Sequence, residues 1–116
     1  MRPEFRPAQG VAKDDSAAAK WYFNSADQNC AHAENNLGTL YSSGCGVAQD
    51  QCEAAKWIRK SAEQNFVIAQ RNLGGRYARG DGVPYDLNEA VKWYRKAAAQ
   101  GDEKSVRELK CLGYEP

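Results

Sequence analysis

Trp21, Trp57 and Trp93 stand 36 residues apart, and the stretches around them, "KWYFNSADQNC", "KWIRKSAEQNF" and "KWYRKAAAQGD", are variants of one string. Other residue types keep the interval: Asp14, Asp50 and Asp86; Ala18, Ala54 and Ala90; and Gly10, Gly46 and Gly82, each followed by Val. So do Ala33 and Ala69, Leu37 and Leu73, Gly38 and Gly74, Tyr41 and Tyr77, and Gly44 and Gly80. A period of this kind constrains the chain to stack copies of one supersecondary unit, because a single unit cannot bury its own apolar face.

Within one period the apolar pattern is that of two helices. Ala33, Leu37 and Tyr41 are spaced by four and share a face with Leu40, and Ala69, Leu73 and Tyr77 repeat the stripe. Gly38 and Gly74 lie beside it, where a missing side chain lets a neighbouring helix approach, at a cost of about 1 kcal/mol against Ala. This first helix stops in "SSGCGVAQ" or "ARGDGVPY", where Gly supplies the left-handed cap and Pro84 cannot continue a helix. The second helix starts at the recurring Asp. "DQCE" at 50–53 and "DLNE" at 86–89 fit a capping box, with Asp accepting from the N3 amide and Glu53 or Glu89 reaching back. Its expected buried face is Ala54, Trp57, Ile58, Ser61 and Ala62, then Ala90, Trp93, Tyr94, Ala97 and Ala98. All three indoles and Tyr22 are therefore expected in the core. Counting along the chain predicts a lone second helix near 14–28, two complete pairs near 31–64 and 67–100, and a lone first helix near 103–113. In that last helix Val106, Leu109 and Leu112 form the apolar stripe.

Two of these strings, "AENNLGTLYSSGCGVAQDQCEAAKWIRKSAEQN" and "AQRNLGGRYARGDGVPYDLNEAVKWYRKAAAQG", resemble the Sel-one-like repeat family, a branch of the tetratricopeptide-like superfamily. The resemblance covers about residues 8–113 and implies an all-α fold, an α/α right-handed superhelical solenoid of helix-turn-helix repeats. Its divisions are a half repeat at 8–30, full repeats at 31–66 and 67–102, and a terminal half repeat at 103–113. Residues 1–7 match nothing downstream and read as a cloning remnant or a disordered N-terminus. Asn29 and Asn65 stand where the family usually has Gly. The resemblance further implies that the first helices line a concave groove and that the protein is an adaptor or scaffold for protein complexes.

On a helical wheel His32, Asn36, Thr39 and Ser43 face that groove. The matching positions are Ile68, Asn72, Gly75 and Arg79, with Arg71 at the edge, and then Lys104, Glu108 and Cys111, flanked by Arg107. Asn36 and Asn72 form a two-rung ladder of amides, each able to donate and accept, which suits the main chain of an extended peptide. Arg71, Arg79, Lys104 and Arg107 make one end basic. The expected peptide-binding set is therefore His32, Asn36, Thr39, Arg71, Asn72, Arg79, Lys104 and Arg107. The expected partner is a protein or peptide with an acidic segment or a free C-terminal carboxylate, which guanidinium holds bidentately. Ile68 reads equally as a contact or as a tolerated surface residue, and a solvated face is the plain alternative for the polar set.

Other functions find little support. Sixteen basic and fifteen acidic residues leave a net charge of +1, too little for a global field that draws in nucleic acid or an anionic membrane. No apolar run approaches the roughly 20 residues that span a bilayer, so no membrane span is expected. The "GCGVAQ" and "GDGVPY" loops follow a helix rather than a strand and lack the third Gly of a dinucleotide turn. One histidine, His32, falls short of the usual two-His metal motifs, so neither metal nor cofactor is expected. No nucleophile-elbow, Ser-x-x-Lys or zinc-protease string occurs, and no enzymatic activity is expected. The alternative function is binding or hydrolysis of β-lactams or cell-wall components, as in cysteine-rich relatives of the family. Their paired cysteines staple each repeat, whereas Cys30, Cys45, Cys52 and Cys111 do not recur at the period. Only Cys45 and Cys52 are placed to pair; otherwise the four are free thiols.

Overall fold

The computed structural model describes residues 20–22, 24 and 30–115. Lys20, Trp21, Tyr22 and Asn24 are helical, and the remainder of the helix expected near 14–28 lies outside the described residues. Five helices follow: α1 (Ala31–Ser43), α2 (Gln51–Glu63), α3 (Val67–Arg79), α4 (Leu87–Ala99) and α5 (Glu103–Cys111). No strand occurs among the described residues. α1 packs on α2, α2 on α3, α3 on α4 and α4 on α5, the succession of a helix-turn-helix solenoid.

The turns show why the period is kept. α1 and α3 end on Gly44 (φ 77°) and Gly80 (φ 73°), left-handed caps whose N–H groups donate to Leu40 O and Arg76 O, each at 2.7 Å. The loops then fold back, with Asp50 N–H donating to Tyr41 O at 2.9 Å and Asp86 N–H to Tyr77 O at 3.1 Å. Asp50 caps α2 by accepting from the Cys52 and Glu53 amides, and Asp86 caps α4 by accepting from the Glu89 amide. The reciprocal half of the capping box is not made. Glu53 and Glu89 instead pair with Lys56 and Lys92 at 3.2 and 3.3 Å, the i,i+3 neighbours available on the open face. Asn65 (φ 71°) sits where the next repeat has Gly101 (φ 91°), and Asn tolerates this left-handed geometry better than other side chains.

In the two complete repeats the residue after the Trp, Ile58 or Tyr94, is buried against the neighbouring helix. A Cβ at Gly38 would lie 2.5 Å from Ile58 Cγ1, and one at Gly74 would lie 3.1 Å from the Tyr94 ring. The two helix glycines therefore exist to let Ile58 and Tyr94 seat. Leu37, Ile58, Leu73 and Leu109 are fully enclosed. The indoles differ: Trp93 is buried, Trp57 half-buried, and Trp21 63% exposed, with Tyr22 half-buried against it edge-on at 5.4 Å between ring centroids. The expectation that Trp21 lies in the core is thus corrected. Leu112 and Tyr114 pack against the cluster that contains Trp93.

A polar pair crosses each repeat at the edge of the core, joining a buried residue to an exposed glutamine. Gln100 Nε2 donates to Gln70 Oε1 at 2.8 Å, while Gln70 Nε2 donates to Asn65 Oδ1 at 3.1 Å. One period earlier Gln64 donates to Glu34 Oε1, but Glu34 Oε2 is buried without a partner. The four cysteines are free thiols, including Cys45 and Cys52. No helix among the described residues is long and apolar enough to cross a membrane.

Candidate functional site

α3 carries Arg71, Asn72, Gly75 and Arg79 on one face, and α5 brings Lys104, Arg107 and Glu108 opposite, with Tyr94 of α4 between them. Together they enclose a cavity of about 400 Å³. Gly75 lies close under two of these groups: a Cβ there would stand 3.1 Å from Arg79 Nη1 and 3.4 Å from the Tyr94 hydroxyl. One period earlier the same places hold Thr39, Ser43 and Ile58, facing Ile68, Arg71 and Asn72. That interval has branched or aliphatic groups where the later one has Gly and a phenol, and three fewer cations, since Arg71 of the later interval corresponds to Asn35.

The cations are not equally committed. Arg71 Nη1 lies 2.8 Å from Asp102 Oδ1, and Asp102 also caps α5, accepting from the Ser105 amide at 3.1 Å and its hydroxyl at 2.6 Å. Burial alone would raise the Asp102 carboxyl. The Ser105 hydroxyl, the Arg71 charge and the Ser105 amide together outweigh it and hold the group below its ordinary value. Arg79 pairs with Asp81 at 3.1 Å, but both are well exposed and the pair is loose. Lys104 and Arg107 have no ion-pair partner among the described residues. Burial, followed by the Glu108 charge, pushes the Tyr94 hydroxyl up against the opposing pull of Arg79 and Arg71, so it remains a donor at neutral pH.

Asn72 is tied into its own helix by one hydrogen bond. Its Oδ1 accepts from Arg76 Nε at 3.1 Å, and the largely buried Arg76 also donates to Gln51 Oε1 at 3.0 Å. The Asn72 amide nitrogen is left to donate. A guanidinium one helical turn along thus occupies one of the two acceptor positions of the carbonyl, and the other remains. Five predicted residues, Arg71, Asn72, Arg79, Lys104 and Arg107, meet in the cavity. His32, Asn36 and Thr39 do not line it. They lie on α1, where Thr39 Oγ1 donates to Asn36 O at 2.7 Å and Asn36 Nδ2 stands 3.5 Å from His32 Nε2. Sequence reasoning passed over Arg76, Asp102 and the hydroxyl of Tyr94. A signal existed for Arg76, which breaks the apolar period between Leu40 and Leu112 four residues after Asn72.

A family model described as Sel1 repeat matches residues 6–30, 31–66 and 67–102. The chain belongs to the Sel1 repeat family. Sel1 repeats generally serve as protein–protein interaction modules, and their fold is typically a non-catalytic scaffold. Among solved structures, this Sel1 repeat chain is similar to c5321, a protective antigen of uropathogenic Escherichia coli with an SLR fold, at 40% identity and a TM-score of 0.79. The match covers 81% of this chain and 20% of that one. A Sel1 repeat protein from Oxalobacter formigenes matches at 38% identity and a TM-score of 0.79, over 81% of this chain and 39% of that one. The cysteine-rich protein B of Helicobacter pylori shares the fold at 22% identity and a TM-score of 0.76, over 87% of this chain and 90% of that one. No curated protein matches the sequence significantly.

Proposed function

We propose that this Sel1 repeat chain is a non-catalytic adaptor module that holds an acidic or carboxylate-ended protein segment in its concave groove. One observation carries the reading: the cavity between α3 and α5 presents donors and cations from Arg71, Asn72, Tyr94, Arg79, Lys104 and Arg107, against the single carboxylate of Glu108. A site of that composition favours an anion with several acceptor atoms, and guanidinium supplies the planar fork that fits a carboxylate. Lys104 and Arg107 can turn to a ligand without first breaking an internal ion pair, so little of the attraction is spent on rearrangement.

A peptide-array screen tests the proposal. Binders are expected to be enriched in acidic or carboxylate-ended sequences, and Arg107→Glu is expected to weaken them by about tenfold, because it replaces an attraction to the ligand carboxylate by a repulsion. Arg107 is exposed, so the variant should fold normally. Binders without acidic enrichment, unchanged by both Arg107→Glu and Asn72→Ala, would refute the site. Turnover of a chromogenic β-lactam by the purified protein would refute the non-catalytic part.

A further inference from the structure

We infer that Arg76 is a positioning residue of the groove: together with Gln51 of the preceding repeat it fixes the Asn72 amide, so that the cavity is set across the seam between two repeats. The inference rests on the groove reading above and adds how that site is held ready for a ligand.

Hydrogen bonds run without a break from one repeat into the next. The Ser42 hydroxyl of α1 donates to Gln51 Oε1 at 3.1 Å, and Gln51 Nε2 donates back to Ser42 O at 3.0 Å. Gln51 Oε1 also accepts from Arg76 Nη1 at 3.0 Å, and Asp81 O accepts from the same nitrogen at 3.4 Å. Arg76 Nε in turn donates to Asn72 Oδ1 at 3.1 Å. A guanidinium only donates, so the Asn72 atom that faces it is the oxygen, and the amide nitrogen is turned away from it. Asn72 lines the cavity, whereas Arg76, 5% exposed, does not.

The next seam shows that packing does not require this arrangement. One period on, Leu87 and Leu112 occupy the places of Gln51 and Arg76, and both pack against the core cluster. One period earlier Leu40 holds the Arg76 place, and Asn36, the counterpart of Asn72, instead has its Nδ2 3.5 Å from His32 Nε2. Arg76 has no ion-pair partner among the described residues. Burial draws its guanidinium below the ordinary arginine range, against the opposing charge of Asp81. A buried charge held by neutral acceptors is less stable than an apolar pair in the same space. The polar pair therefore stands at this seam at some loss of stability, and what it adds is an ordered amide in the cavity wall, which a ligand meets already oriented.

Fluorescence anisotropy with the full chain and a labelled hexaglutamate peptide tests this, beside thermal denaturation. Gln51→Leu combined with Arg76→Leu imports the residues of the next seam. That double variant should melt at or above the midpoint of the unaltered protein, yet bind the peptide about threefold to tenfold more weakly. Arg76→Lys keeps the charge but loses the planar fork that spans Asn72 and Gln51, and it should weaken binding to a similar degree. In an Asn72→Ala background Arg76→Lys should weaken binding no further, because both residues act through one amide. Unchanged binding by the double variant, full binding by Arg76→Lys, or an equal loss in the Asn72→Ala background would each refute the positioning role. A lowered midpoint in the double variant would assign Arg76 and Gln51 to the fold instead. If Arg107→Glu still weakens the peptide in those cases, the groove reading stands; if the unaltered protein does not bind the peptide, both readings fall.

Discussion

Glu34 and Gln70 occupy one buried position in successive repeats and differ in what they leave unpaired. Gln70 is satisfied on both its nitrogen and its oxygen, whereas Glu34 has one oxygen bonded to Gln64 and one with no partner, at 0% residue exposure. Burial raises the Glu34 carboxyl above its ordinary value of 4.5, with Lys60 and then Gln64 opposing. The native state thus binds this proton more tightly than the unfolded chain. The contribution of this group to stability is fullest below 4.5 and declines as pH rises through the raised value. Glu34→Gln is expected to stabilise the fold by about 1–2 kcal/mol at neutral pH by removing a buried, half-satisfied charge. Thermal denaturation of both proteins across acidic and neutral pH checks it: the gap should close on acidification, and a gap independent of pH would contradict the account. Asp102 has the opposite sign. Its lowered carboxyl contributes stability that is present above 3.8 and lost as pH falls through the folded value.

At the scale of the helix, each repeat is punctuated by the same few groups. Asp50 and Asp86 satisfy orphan amides at the starts of α2 and α4 through bonds of 3.0 to 3.1 Å. Replacing either by Ala should cost about 1 kcal/mol in urea-induced unfolding. They sit on different helices and share no partner, so the double variant should lose the sum. A double variant no worse than one single change would show that the two ends are not independent.

The molecule as a whole is a stack in which each helix is held by its neighbours, so stability and the cavity have common supports. Leu109 of α5 is fully enclosed and joins the cluster of Leu73, Trp93 and Tyr94, while Lys104, Arg107 and Glu108 on the same helix form one wall of the cavity. Leu109→Ala should destabilise by about 3 kcal/mol, the range for an enclosed Leu. It should also weaken acidic peptides, because α5 is seated by that side chain. Calorimetry beside peptide titration checks the coupling, and full peptide affinity in a strongly destabilised variant would show that α5 is held by something else.

The helix pairs, their glycine turns and their aspartate caps were legible in the sequence because they depend on residues within a few positions of each other, repeated at one interval. Helical spacing also placed Asn72, Arg71, Arg79, Lys104 and Arg107 on one side of their helices, and the family resemblance turned that side toward a groove. Which of them meet was decided by tertiary structure. Gly75 and Tyr94 border the cavity in the later interval, and Arg76 donates to the Asn72 carbonyl. Trp21 shows the same limit from the other side: its spacing matches Trp93, yet its burial depends on which helices flank it. Local periodicity assigns a side chain to a face; only contacts between residues distant in sequence determine what stands against that face.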